Sequence, residues 1–127
     1  MAYKVLIVDD SKLARMAIAK ALNNLYPDWV RLEATEAEAA LEIAHKTAVD
    51  ISLLDFNMPG RDGLTLASEL RELRPTMPVA VISANHQDEV VQRARSIGAA
   101  FLPKPLTEKA LAEFLAHALE QLNKVPR

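Results

Sequence analysis

The 127-residue chain is half hydrophobic and a quarter charged, with 15 Lys and Arg against 17 Asp and Glu and a formal net charge of −2. That balance excludes an intrinsically disordered chain and leaves no electrostatic footprint for nonspecific binding to nucleic acid or a membrane surface. Cysteine is absent, which removes disulfides and thiolate chemistry, and the length fits one domain with its own core. No apolar run approaches the roughly 18 residues of a membrane span, and the apolar stretch of "MAYKVLIVDD" ends too soon in acids for a signal peptide. A single cytoplasmic domain over 1–127 is therefore expected.

Tyr3 to Val8 is a short, nearly continuous apolar run, the pattern of a strand buried on both faces. Ala14, Ala17, Ile18, Ala21, Leu22 and Leu25 then recur at helical spacing, and this first helix ends before Pro27. Trp29 to Glu33 alternates and reads as an edge strand. Thr35 with Glu38 forms a capping box that opens a second helix across "EAEAALEIAHK". Val49 to Leu54 is the third strand, followed by "MPGRDG", in which Pro59, Gly60, Asp62 and Gly63 read as turn residues. Leu64, Ala67, Leu70 and Leu73 line a third helix, stopped by "RPTMP". Val79 to Ser83 is the fourth strand, and Asp88 to Ile97 the fourth helix, with Gly98 as its stop. Ala100 to Leu102 is the fifth strand. Leu111, Phe114, Leu115, Ala118, Leu119 and Leu122 line a fifth helix over about 107–122, leaving a short tail at 123–127. Five βα units predict an α/β fold, a parallel sheet with helices on both faces whose ligands meet the carboxyl ends of the strands.

The residues at those ends carry the chemistry. Strand one ends in Asp9 and Asp10, strand three in Asp55, strand four in Ser83, and strand five in Lys104 just beyond Pro103. Three carboxylates at close quarters repel by roughly 4 kcal/mol per 4 Å pair at an effective dielectric near 20. Either one acid stays protonated or a cation sits among them, and an all-oxygen cluster suits a hard ion such as Mg²⁺. Calcium is disfavoured, because no acidic loop of EF-hand type is present. Zinc is poorly supported, with no Cys and with His45, His86 and His117 scattered. Acids, an ammonium and a hydroxyl around a metal form the set that binding a phosphoryl group requires.

"VDDS" at 8–11, "LLDFNMPGRDG" at 53–63, "VISA" at 81–84 and "KP" at 104–105 resemble the receiver domains of two-component response regulators, the CheY-like family. Each piece alone is weak, but four in order at fitting strand ends are specific. The resemblance implies a (βα)5 flavodoxin-like, doubly wound sheet with strand order 2-1-3-4-5. It implies Asp55 as phosphoacceptor for a phosphohistidine, and Asp9, Asp10, Asp55 and the backbone carbonyl of Asn57 as Mg²⁺ ligands. Lys104 and Ser83 would each bond a phosphoryl oxygen, Phe101 would be the aromatic switch, and the Lys104–Pro105 peptide would be cis. By the same resemblance, Asn57 and Asn85 would occupy positions that influence phosphoryl loss. Ser83 stands where the family often has Thr, which loosens its rotamer. Phe101 stands where Tyr is frequent, which puts in doubt any output contact through a hydroxyl.

Taken singly, these residues have plainer readings: Asp10 or Ser11 as helix N-cap, Ser83 as strand-end cap, Lys104 and His86 as solvated, Phe101 as core. Leu13 and Met16, off the core stripe of the first helix, are candidates for an apolar docking patch for the phosphodonor. The expected function is a phosphorylation-controlled switch that acts on its own side chain and is not otherwise an enzyme. Its expected partners are a histidine kinase or phosphotransfer protein and an unidentified output, with no nucleic acid or membrane. Output is expected on the face of helix four, strand five and helix five, where a homodimer is also possible. The sequence leaves open a stand-alone receiver or one segment of a longer regulator. A pseudo-receiver that never takes phosphate is the alternative. A haloacid-dehalogenase-type phosphatase fits worse, because it carries Asp-x-Asp on its first strand, and a flavodoxin-like cofactor domain lacks its phosphate loop here.

Overall fold

The computed structural model describes residues 2–58, 60–84 and 87–124. Asn85, His86, Pro59 and 125–127 lie outside them. Five strands, β1 (Lys4–Val8), β2 (Val30–Ala34), β3 (Ile51–Asp55), β4 (Val79–Ser83) and β5 (Ala100–Pro103), alternate with five helices. These are α1 (Lys12–Leu25), α2 (Ala37–Lys46), α3 (Gly63–Leu73), α4 (Asp88–Ser96) and α5 (Glu108–Lys124). All strand pairs are parallel, in the order β2-β1-β3-β4-β5 expected of a flavodoxin-like α/β fold. No helix among the described residues is long and apolar enough to cross a membrane.

Alternation along each strand divides the core in two. Val5, Ile7, Ile51, Leu53, Ala80, Ile82 and Leu102 face α1 and α5, packing on Ile18, Leu22, Leu111 and Leu115. Leu6, Val8, Leu54, Val79 and Val81 face the other way, against Ala40 and Ala44 of α2, Leu66 and Leu70 of α3, and Val90 and Ala94 of α4. The edge strand β2 is exposed at Val30, Arg31 and Glu33, and its charges guard an unpaired edge. At the amino ends of the strands Trp29 stacks on Tyr26 at 4.0 Å and meets the edge of Tyr3 at 5.2 Å.

Several expectations need correction. α2 has no capping box: Glu36, not Thr35, is the N-cap, and its side chain makes no capping bond. The buried row Ala37, Ala40 and Ala44 sets where this helix begins, one residue later than Thr35 would require. Ala17 is exposed, because it lines a groove of about 480 Å³ between α1 and the turn after β5. Leu73 is 37% exposed, and Leu66, two turns earlier, is buried instead. Arg74 takes the inward place at that end of α3, its Nη2 donating to the carbonyls of Ala44 and Thr47 at 3.1 Å each. α5 runs to Lys124, past the expected stop at 122. α4 ends as expected at Gly98, whose φ of 74° suits a residue without Cβ.

Candidate functional site

Register builds the site. Val8 pairs with Leu54, so Asp9 and Asp55 leave neighbouring strands at one level. Asp55 pairs with Ile82 and Ser83 with Pro103, so Ser83 and Lys104 each follow one step further on. Parity then sorts them. Asp9, Asp55 and Lys104 share the α1/α5 face with Ile7, Leu53 and Leu102, whereas Ser83 and Phe101 share the α4 face with Val81. By parity, Asp55 with Lys104 and Ser83 with Phe101 thus start from opposite faces of one rim.

Asp9, Asp10 and Asp55 each bring a carboxylate oxygen within 4.8 Å of the others. Asp55 is 3% exposed. Lys104 lies two strand spacings away, about 10 Å. Its long side chain spans that distance, and Nζ donates to Asp55 Oδ1 at 2.6 Å. Asp9 Oδ1 accepts from the Ser11 N–H at 2.9 Å. Ser11 is also the N-cap of α1, its Oγ accepting from Ala14 N. The capping role therefore falls to Ser11 and leaves the exposed carboxylate of Asp10 outside it. Ser83 is fully buried, and its carbonyl accepts from the Lys104 N–H. Phe101 is half-buried against the α2–α4 core. The Lys104–Pro105 peptide is cis. Asn57 is exposed beside the cluster in sequence, and Leu13 and Met16 are 79% and 55% exposed. Asn85 and His86 fall outside the described residues.

Burial pushes the Asp9 carboxyl above its ordinary value; the Ser11 N–H opposes this, the Asp55 charge adds to it, Lys104 opposes it and Asp10 adds to it. Lys104 offsets one of three acids, and two negative charges remain at the rim. A hard divalent ion fits that remainder in charge and in donor type, since all the available side-chain donors are oxygens. A buried carboxylate beside a fixed ammonium and two further carboxylates, one buried and one exposed, is also a workable nucleophile toward a phosphoryl donor.

Two groups at the site were not anticipated. Asp62 and Gly63 are more than turn residues: Asp62 caps α3 through the Thr65 N–H at 2.8 Å. A Cβ on Gly63 would collide with the Asp55 carbonyl and stand 2.9 Å from Phe56 Cα. Glycine there lets α3 begin directly against the backbone of Asp55, and the "DG" pair was the available signal. Arg15 donates through Nη1 to the Asp9 carbonyl at 2.8 Å, a contact that tertiary structure alone creates.

The family profile described as the response regulator receiver domain matches residues 5–116. The chain is 36% identical over 124 residues to the response regulator protein FleR of Pseudomonas aeruginosa, covering 96% of this chain and 26% of FleR. It is 36% identical over 121 residues to the sensor histidine kinase RcsC of Salmonella typhi, covering 94% of this chain and 13% of RcsC. The chain therefore spans well under half the length of these two curated relatives. Among solved structures, the chemotaxis protein CheY4 of Vibrio cholerae superposes with a TM-score of 0.84 at 26% identity, covering 93% of this chain and 99% of CheY4.

Proposed function

The chain belongs to the response regulator receiver domain family, and from that premise we propose that it is the phosphoacceptor switch of a two-component phosphorelay. The observation that carries this reading is Asp55, buried at the end of β3, with Lys104 Nζ at 2.6 Å and two further carboxylates alongside. A carboxylate oxygen of Asp55 attacks the phosphorus of a phosphohistidine on a histidine kinase or phosphotransfer protein. The P–O bond forms as the P–N bond breaks, and the imidazole nitrogen leaves with the electron pair and takes up a proton. Hydrolysis reverses the modification: water attacks phosphorus, the P–O bond breaks, and Asp55 and inorganic phosphate return.

Asp9, Asp10, Asp55 and the Asn57 carbonyl are the proposed Mg²⁺ ligands. When bound, the ion neutralises charge on the phosphoryl oxygens. Lys104 exchanges its Asp55 oxygen for a phosphoryl oxygen, and the Ser83 hydroxyl donates to another. Ser83 and Phe101 lie on one face of the sheet, so movement of the first alters the packing of the second against α4. On the β5 and α5 side of the proposed α4/β5/α5 output face lies a depression of about 750 Å³ lined by Phe101, Leu102, Phe114 and His117. A protein partner or a second copy would dock there. The protein acts on its own side chain and has no separate substrate, in keeping with a cytoplasmic signalling module.

Acetyl phosphate or beryllofluoride, with and without Mg²⁺, tests the proposal on wild type and Asp55→Asn. After acetyl phosphate, mass spectrometry is expected to find one phosphoryl group on wild type only when Mg²⁺ is present, and none on Asp55→Asn; beryllofluoride, which transfers no phosphoryl group, is expected to bind wild type alone and only with Mg²⁺. Unmodified wild type would mean a pseudo-receiver. Multiple turnovers of a phosphomonoester would mean a phosphatase.

A further inference from the structure

Each acid of the cluster has something that aims its side chain, except one. Asp9 is held by the Ser11 N–H and Asp55 by Lys104. The carboxylate of Asp10 is exposed and has no hydrogen bond or ion pair among the described residues. Its direction is set by the main chain, and the peptide that joins it to Asp9 lies just past the end of β1. The carbonyl of that peptide accepts from Arg15 Nη1 at 2.8 Å. Arg15 is itself braced: its Nε donates to Glu33 Oε1 on β2 at 3.0 Å, and its side chain is only 14% exposed. A planar guanidinium gripping two acceptors at once has little freedom left.

We propose that Arg15 is a positioning residue for the divalent-cation site: it fixes the Asp9–Asp10 peptide and so aims Asp10, with Glu33 as its counter-anchor. This rests on the Mg²⁺ reading of the acidic cluster. Groups that orient a metal ligand without touching the metal typically change affinity 10–100-fold when removed. Arg15 sits just inside that class, one peptide away from a ligand, and it links the site to the edge strand through Glu33.

Electrostatics alone predicts the opposite sign. Removing a positive charge beside a cation site relieves repulsion and tightens Mg²⁺, whereas loss of positioning weakens it. Calorimetric titration of MgCl2 into the full chain separates the two, with thermal melts in EDTA confirming that each variant is folded. Arg15→Gln is expected to weaken Mg²⁺ about tenfold. Arg15→Lys should weaken it severalfold, because an ammonium reaches one acceptor but cannot bridge two. Phosphorylation by acetyl phosphate should return to within about twofold of wild type once Mg²⁺ saturates, because the deficit lies in binding. Unchanged or tightened Mg²⁺ binding by folded Arg15→Gln would overturn the proposal, as would a rate that stays low at saturating Mg²⁺. If Arg15→Gln does not fold, Arg15→Lys is judged by the same criterion. Wild type that binds no Mg²⁺ would instead overturn the metal reading itself.

Discussion

Asp9 shows how a single side chain trades stability for a site. Burial and its acidic neighbours raise its carboxyl above the ordinary value, so the folded chain holds this proton more tightly than the unfolded chain does. Ionised Asp9 therefore destabilises the metal-free protein above both values. That penalty fades as pH falls through the raised folded value toward the ordinary carboxylate range. Asp9→Asn is expected to stabilise the metal-free protein at neutral pH, and by much less near pH 4. Thermal melts in EDTA at the two pH values check this, and an equal gain at both would contradict it. At this scale the carboxylate cluster and its lysine were legible, because Asp9, Asp10, Asp55 and Lys104 each lie just past or at the end of an apolar run. Arg15 and Gly63 were not. A lone arginine on a helix reads as solvated, and a glycine after an aspartate reads as a turn. What distinguishes them is the backbone of Asp9 and Asp55 brought against them from other strands.

Helices and strands were legible where pattern and packing coincide. The near-continuous runs of β1, β3 and β4 follow from burial on both faces, and Gly98 marks the end of α4 through its positive φ. They were less legible where a neighbour decides: α2 starts where its alanines meet the sheet, and Leu73 yields to Arg74 at the end of α3. α1 shows the same dependence. Its buried residues Ile18 and Leu22 begin only midway along it, while Ala17 opens onto the groove beside β5 and Leu13 and Met16 stand free of the core. An exposed apolar pair on the helix that follows the acidic pair is suited to a partner helix. Leu13→Glu combined with Met16→Glu is expected to slow phosphotransfer from a phosphohistidine protein at least tenfold, on the scale of lost interface anchors. Modification by acetyl phosphate should be unaffected, and unchanged transfer from the protein donor would reject the patch.

The molecule as a whole is two cores back to back on one sheet, and energetic independence follows. Ile18→Val on the α1/α5 side should cost roughly 1 kcal/mol, and Leu70→Ala on the α2–α4 side roughly 3 kcal/mol. Chemical denaturation of the double mutant should return the sum within about 0.5 kcal/mol, and a larger coupling would mean that the sheet transmits strain between its faces. Strand polarity gives the molecule a second division, at right angles to the first. The lone indole, Trp29, is sandwiched by Tyr26 and Tyr3 at the amino ends of the strands, a strand length of about 16 Å from the acids. Its fluorescence should therefore stay constant through Mg²⁺ and acetyl phosphate additions, yet fall into step with far-UV circular dichroism as the chain is denatured. The protein thus carries an optical reporter that is blind to its signalling state and registers only whether it is folded.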